Sequence, residues 1–121
     1  MNYIGIDLGT SSVKLVLMQS NGKILRTVSK AYPLSIPHTG WSEQHPEVWW
    51  EYTKIGLSEL TQGINAASVA GISFGGQMHG LVILDKEDRV IRPAILWNDG
   101  RTDKETTYLN RFIGMEKLSR C

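Results

Sequence analysis

The sequence predicts an α/β domain that opens with three antiparallel strands and continues through a helix into a parallel strand. Three observations carry that reading. Residues 13–18 alternate, with Val13, Leu15 and Leu17 on one side and Lys14, Val16 and Met18 on the other, the period-two signature of a strand. Trp49, Tyr52, Gly56, Leu60 and Ile64 recur at three- and four-residue steps, an apolar helical stripe. Val69-Ala70-Gly71-Ile72-Ser73-Phe74 is a continuous, mostly apolar run leading into Gly75-Gly76, which reads as a short buried strand. This order differs from the uniform βαβ alternation of a dinucleotide fold.

Taken in order, residues 3–7 form the first strand, ending in Asp7, and a Gly/Thr/Ser turn leads into the second. Asn21-Gly22 is the dipeptide that most readily supplies two positive φ angles, so a tight hairpin is expected before a third strand over 23–31. Pro33, Pro37, Gly40 and Pro46 mark a loop. Pro46 suits the first position of a helix, where its missing N–H costs nothing, and Glu47 suits the positive end of the helix dipole. Beyond Gly76, residues 81–84 and 90–97 read as a hairpin turned by the charged segment 85–89. A second helix is expected from near Arg101 through Tyr108, Leu109 and Phe112.

Composition narrows the function. The 121 residues are 41% hydrophobic and 21% charged, with 13 basic against 12 acidic side chains, the balance of a single globular domain. No basic block supplies the counterion release that nucleic-acid binding needs, so no such partner is expected. The longest apolar runs fall far short of a membrane span. Residues 1–5 enter a strand directly, without a charged leader, which points to a cytoplasmic protein. The one cysteine, Cys121, can form no intrachain disulfide and fits a reducing compartment. His38 and His45 lack partners at metal-ligand spacing, so no zinc site is expected.

The segment Asp7-Leu8-Gly9-Thr10-Ser11-Ser12 carries the clearest chemistry. A carboxylate ends a strand, and a glycine turn with three hydroxyls follows. Consecutive turn amides can converge on an anion, and a carboxylate beside them can hold the Mg²⁺ that accompanies a polyphosphate. Lys14 adds a point charge nearby. The string is neither a P-loop nor a dinucleotide fingerprint. By itself it is also what a hairpin rich in turn-forming residues looks like.

Residues 3–14, Tyr-Ile-Gly-Ile-Asp-Leu-Gly-Thr-Ser-Ser-Val-Lys, resemble the first phosphate motif of the sugar kinase, heat-shock ATPase and actin superfamily. Within it the chain resembles the FGGY-type carbohydrate kinases. Gly-Trp-Ser-Glu-Gln-His-Pro-Glu-Val-Trp-Trp at 40–50 is similar to the segment that opens their first helix. Gly-Gly-Gln-Met-His-Gly at 75–80 and Arg-Pro-Ala-Ile-Leu-Trp-Asn-Asp-Gly-Arg at 92–101 are similar to their sugar-site segments. Four motifs in order are far more specific than any one. The resemblance implies a ribonuclease H-like fold of the actin/hexokinase superfamily. It also implies ATP and Mg²⁺, with phosphate contacts at Gly9, Thr10, Ser11, Ser12 and Lys14, and Asp7 on the metal and phosphate side.

For the sugar, the resemblance implies contacts from Gln77, Met78, His79, Trp97 and Asp99. The Met78-His79 pair resembles xylulokinases, which implies D-xylulose; glycerol kinases carry an Arg-Glu pair there. A neutral imidazole donates and accepts hydrogen bonds to neighbouring hydroxyls, and a thioether gives an adaptable apolar contact. Trp97 is either a sugar-stacking ring or a core aromatic. Asp99 and Arg101 either close the pocket or pair with each other. His45 stands where related xylulokinases can carry Asp, the better helix cap.

The resemblance further implies transfer of the γ-phosphoryl group to a sugar hydroxyl, with the general base in a Gly-Asp-Asn segment beyond residue 121. The adenosine pocket belongs to a second domain. Residues 1–121 are then expected to be the N-terminal part of the first kinase domain, without its second half or the C-terminal domain, and inactive alone. An unpaired edge at 69–74 is expected to make the piece self-associate. The rival readings are another FGGY-type sugar kinase, a truncated binding module without catalysis, and an actin- or chaperone-type ATPase.

Overall fold

The computed structural model describes residues 1–120; Cys121 lies outside the described residues. Strands β1 (Asn2–Leu8), β2 (Ser12–Gln19) and β3 (Ile24–Ala31) form an antiparallel meander, and β5 (Val69–Gly76) adds parallel to β1. The sheet order is β3-β2-β1-β5. Helix α1 (Pro46–Leu60) covers β2 and β3. Two short strands, β4 (Glu43–Gln44) and β6 (Ala94–Ile95), pair antiparallel in a second small sheet. Helices α2 (Asp103–Phe112) and α3 (Met115–Leu118) follow. No helix among the described residues is long and apolar enough to cross a membrane.

The alternation in β2 sets the core. Val13, Leu15 and Leu17 are fully buried and meet Ile4, Ile6, Val28, Tyr32 and Leu60 under α1. Each such aliphatic side chain contributes about 1.5–3 kcal/mol on burial. The helix approaches β2 closely at Gly56, where a Cβ would collide with Leu15 Cδ1. His45, at the N-cap, is extended and makes no side-chain cap bond, while Pro46 opens the helix. The last turn of α1 carries no basic residue of its own. Arg26 of β3 serves there instead, its Nη1 donating to the carbonyls of Glu59, Leu60 and Gln62 at 2.9–3.0 Å. A cation at the negative end of the helix dipole is favourable.

Three expectations are corrected. The Asn21-Gly22 turn has one positive φ, at Gly22, instead of two. Gly22 N–H donates to Gln19 and Gln19 N–H to Lys23, so Ser20 joins a three-residue loop closed by a glycine bulge. Strand β5 is not buried: Ile72 is 52% and Phe74 67% exposed. They lie opposite Ile4 and Ile6 and share the helix-side face, but α1 roofs β2 and β3 and stops short of β5. The hairpin over 81–97 exists as isolated bridges, Leu84 to Val90 and Leu81 to Ile95, with only Ala94–Ile95 regular. Pro93 removes a donor from that run.

Candidate functional site

Parallel strands β1 and β5 end side by side, Leu8 opposite Gly76. The turn at residues 9–12 therefore leaves the sheet beside the segment 77–80. This follows from register: Gln77 N–H donates to Leu8 O at 3.2 Å, extending the ladder by one bond.

Every carbonyl from Leu8 to Ser12 accepts from a protein donor. Leu8 O receives Gln77 N–H, and Gly9 O receives the Tyr32 hydroxyl. Thr10 O receives Gln44 Nε2 at 3.2 Å, Ser11 O receives Tyr32 N–H at 3.0 Å, and Ser12 O receives Gly9 N–H at 2.9 Å. In a trans peptide the carbonyl and the following N–H point opposite ways. Turning the Gly9 and Thr10 carbonyls inward thus turns the N–H groups of Thr10 and Ser11 outward. Neither meets an acceptor among the described residues. The turn thus offers two N–H groups without protein acceptors, among the described residues, on a held frame, an arrangement that suits an anion.

Asp7 and Lys14 are cross-strand partners on the sheet face opposite α1. They bound a recess of about 310 Å³ with Gly5, Val16, Ser73 and Gly75. Neither forms an ion pair among the described residues. Gly75 lies beside Asp7: a Cβ there would stand 3.9 Å from Asp7 Oδ1. Burial first, and the Asp7 charge second, push the Tyr32 hydroxyl above its usual range, so it stays a neutral donor to Gly9.

On the helix side, Gln77 and His79 border a cavity of about 200 Å³ with Leu8, Trp49, Val82 and Leu96. Mostly apolar walls with two polar groups are the composition of a small-molecule site. His79 has φ of 61°, an uncommon, strained backbone state for a side chain larger than glycine. Met78 is 73% exposed and lies outside that cavity. Trp97 is 58% exposed, not a core aromatic, and its Nε1 donates to Thr10 Oγ1 at 3.1 Å. Thr10 Oγ1 in turn donates to Gln77 Oε1 at 2.9 Å.

Asp99 pairs with Arg101, one of the two roles open to it. Oδ1 accepts from Arg101 N–H and Nε at 2.9 and 2.8 Å, and Oδ2 from Arg101 Nη2 and Ser42 N–H at 2.7 and 2.6 Å. Arg101 also reaches Glu43 at 2.7 Å and stacks 3.8 Å from the Trp41 ring centroid; Arg92 joins Glu43 as well. The Arg101 bonds hold the Asp99 carboxyl well below the usual range, and the same bonds raise Arg101 further. Four protein donors occupy the carboxylate, so its visible work is to clamp residues 40–44 to 92–101.

Sequence reasoning missed the frame. Gln44, 2% exposed, donates to Thr10 O and to Pro33 O at 2.8 Å and accepts from Trp49 Nε1. Tyr32 likewise holds the turn by two bonds. A glutamine just ahead of a helix-opening proline, within an otherwise polar stretch, was the available signal. Among the described residues no cluster of three or more His, Cys, Asp or Glu could hold a metal.

The family model for the FGGY family of carbohydrate kinases, N-terminal domain, matches residues 2–120. The chain is 48% identical over 117 residues to the xylulose kinase of Bacillus subtilis (strain 168), covering 94% of this chain and 23% of that one. It is 46% identical over 116 residues to the xylulose kinase of Escherichia coli (strain K12), covering 96% and 24%. The crystal structure of ligand-bound xylulose kinase from Lactobacillus acidophilus superposes with a TM-score of 0.92 at 31% identity, over 98% of this chain and 24% of that one. The chain thus spans about a quarter of the length of the curated relatives it matches.

Proposed function

Because this chain belongs to the FGGY family of carbohydrate kinases, we propose that it forms the N-terminal part of the first domain of a D-xylulose kinase. The reaction moves the γ-phosphoryl group of ATP to a sugar hydroxyl, giving D-xylulose 5-phosphate. One observation carries the proposal: a turn with outward amides separates an Asp7–Lys14 recess on one sheet face from a Gln77–His79 cavity on the other. A phosphoryl group held at that turn lies between the two.

The amides of Thr10 and Ser11 and the hydroxyls of Ser11 and Ser12 bind phosphate oxygens, with Gly9 giving the turn its shape. Lys14 adds positive charge from the sheet. A single free carboxylate fits Mg²⁺, which keeps several waters and takes most remaining ligands from the nucleotide. Asp7 would hold that ion, whose contribution is to neutralise phosphate charge. Gln77 and His79 hydrogen-bond the sugar, Met78 stands outside their cavity and open to solvent, and Trp97 offers an open ring. Asp99 shapes the wall through Arg101. The general base and adenosine pocket fall to the length that the relatives have beyond this match, and the site is cytoplasmic. The experiment is a coupled kinase assay, with calorimetry, on the longest product of the reading frame that holds these residues. Asp7→Ala should lower turnover by orders of magnitude with the fold intact; kinetics within a few-fold of wild type would remove Asp7 from the mechanism.

We also propose that the 121-residue chain self-associates through β5. Its accessible surface is 8627 Å², against about 6,600 Å² for a compact monomer of 13.6 kDa. That excess is ample beside the roughly 800 Å² each partner gives to a standard interface. The strand carries no charge and no proline, the devices that ordinarily keep edges apart.

A further inference from the structure

We infer that Thr10 is a positioning residue for the sugar, setting the polarity of the Gln77 amide through a one-way hydrogen-bond relay from Trp97. This rests on the sugar-site reading above and adds a division of labour within it.

The relay has a fixed direction because its first member has no choice. An indole N–H can only donate. Trp97 Nε1 gives its hydrogen to Thr10 Oγ1, which occupies a hydroxyl lone pair. The hydroxyl's own hydrogen then needs an acceptor, and Gln77 Oε1 stands 2.9 Å away. Presenting Nε2 to Thr10 instead would fill the hydroxyl's second lone pair and leave its hydrogen without a protein acceptor among the described residues. The Gln77 amide is therefore oriented: Oε1 toward the turn, Nε2 away from it. Nε2 has no acceptor among the described residues, and Gln77 borders the cavity with His79.

Two consequences follow. Gln77 meets its ligand as a donor only, so it reads an acceptor oxygen, while the neighbouring imidazole covers groups that must donate. Thr10 serves the phosphate through its N–H, because its hydroxyl is already engaged on both sides. The same residue thus joins the phosphate turn to the sugar segment and to the open Trp97 ring.

The test uses the ¹⁵N-labelled 121-residue chain. Thr10→Val removes the hydroxyl at nearly constant shape, Thr10→Ser restores it, and Trp97→Phe keeps a ring without the N–H. Thr10→Val should move the Trp97 indole and Gln77 side-chain amide signals together, Thr10→Ser should return both toward wild type, and Trp97→Phe should move the Gln77 amide alone. Titration of the longest product of the reading frame that holds these residues with D-xylulose should then show affinity about five- to tenfold weaker in Thr10→Val, and rescued in Thr10→Ser, the size of one hydrogen bond. Gln77→Glu, which still accepts from Thr10 but cannot donate, should lose at least as much. Indole and amide signals that ignore Thr10→Val would overturn the relay, as would equal sugar affinity in wild type and Thr10→Val. If wild type takes up no D-xylulose, the sugar reading falls, and the indole and amide signals still decide the relay. If Thr10→Val does not fold, Trp97→Phe decides by the same amide signal.

Discussion

Replacing Gln44 with leucine should unseat the turn at residues 9–12 at a cost set by the contacts it loses. Gln44 is buried to 2% exposure and satisfies three groups: Thr10 O, Pro33 O and Trp49 Nε1–H. Leucine matches its volume and satisfies none. Pro33 is exposed, so its carbonyl can turn to water. Thr10 and Trp49 are partly buried, and each orphaned group costs about 1–3 kcal/mol. Their partial access to solvent places the total near 2–4 kcal/mol, a large share of the roughly 5–15 kcal/mol that holds a domain folded. Gln44→Glu should cost more than Gln44→Leu, since it sets a buried carboxylate against two carbonyls. Urea unfolding of the chain, followed by tryptophan fluorescence, reads this. With an m-value of about 1.5 kcal/mol/M, the Gln44→Leu midpoint should fall by about 1.3–2.7 M. A midpoint within about 0.3 M of wild type, or Gln44→Glu more stable than Gln44→Leu, would refute the reasoning.

Three further outcomes are expected. His79→Gly should leave the chain as stable as wild type or up to about 1 kcal/mol more so, because glycine accepts a φ of 61° without strain, while D-xylulose use falls; thermal melts beside a sugar titration check both, and a clear loss of stability contradicts the strain. The Asp99 carboxyl is held low in the folded chain, first by its bonds from Arg101, so the unfolded chain protonates first. Its contribution to stability is therefore full above about pH 4 and lost as pH falls toward the folded-state value; denaturation across an acid series should show this limb, and Asp99→Asn should flatten it. Light scattering over a concentration series should find dimers or larger species of the wild-type chain and fewer of Phe74→Lys, and a strictly monomeric wild type would end the edge argument.

How much of this was legible depended on whether a feature is local. The first three strands and α1 could be read because period and burial coincide in Val13, Leu15 and Leu17, and in Gly56 and Leu60. Asn21-Gly22 gave the turn's place but not its type, since the loop length depends on where Gln19 and Lys23 pair. The run 69–74 gave a strand but not its burial, because an apolar sequence states what a face prefers, not whether a roof reaches it. The site divides the same way. Motifs single out Asp7, the 9–12 turn, Gln77 and His79 as candidates, and the comparisons agree with the family those motifs suggest. The hold of Gln44 and Tyr32 on the turn joins residues far apart in the chain, so nothing local announces it. The Asp99–Arg101 choice needed coordinates to decide.

The register of the sheet also sets the order in which the molecule comes apart. β1 meets β2, and β2 meets β3, through short hairpins, whereas β1 meets β5 only after the chain has made the proline loop and α1. Closing the short loops costs little entropy; closing the long one costs more. Among the described residues strand β5 has one neighbour and no helix above it, so its amides should exchange with solvent through small openings that leave the meander untouched. In any such opening the segment carrying Gln77 and His79 departs with β5, and the turn carrying Thr10 stays behind with β1 and β2. Gln77 and His79 are therefore expected to stand on a less persistent unit than the turn at residues 9–12.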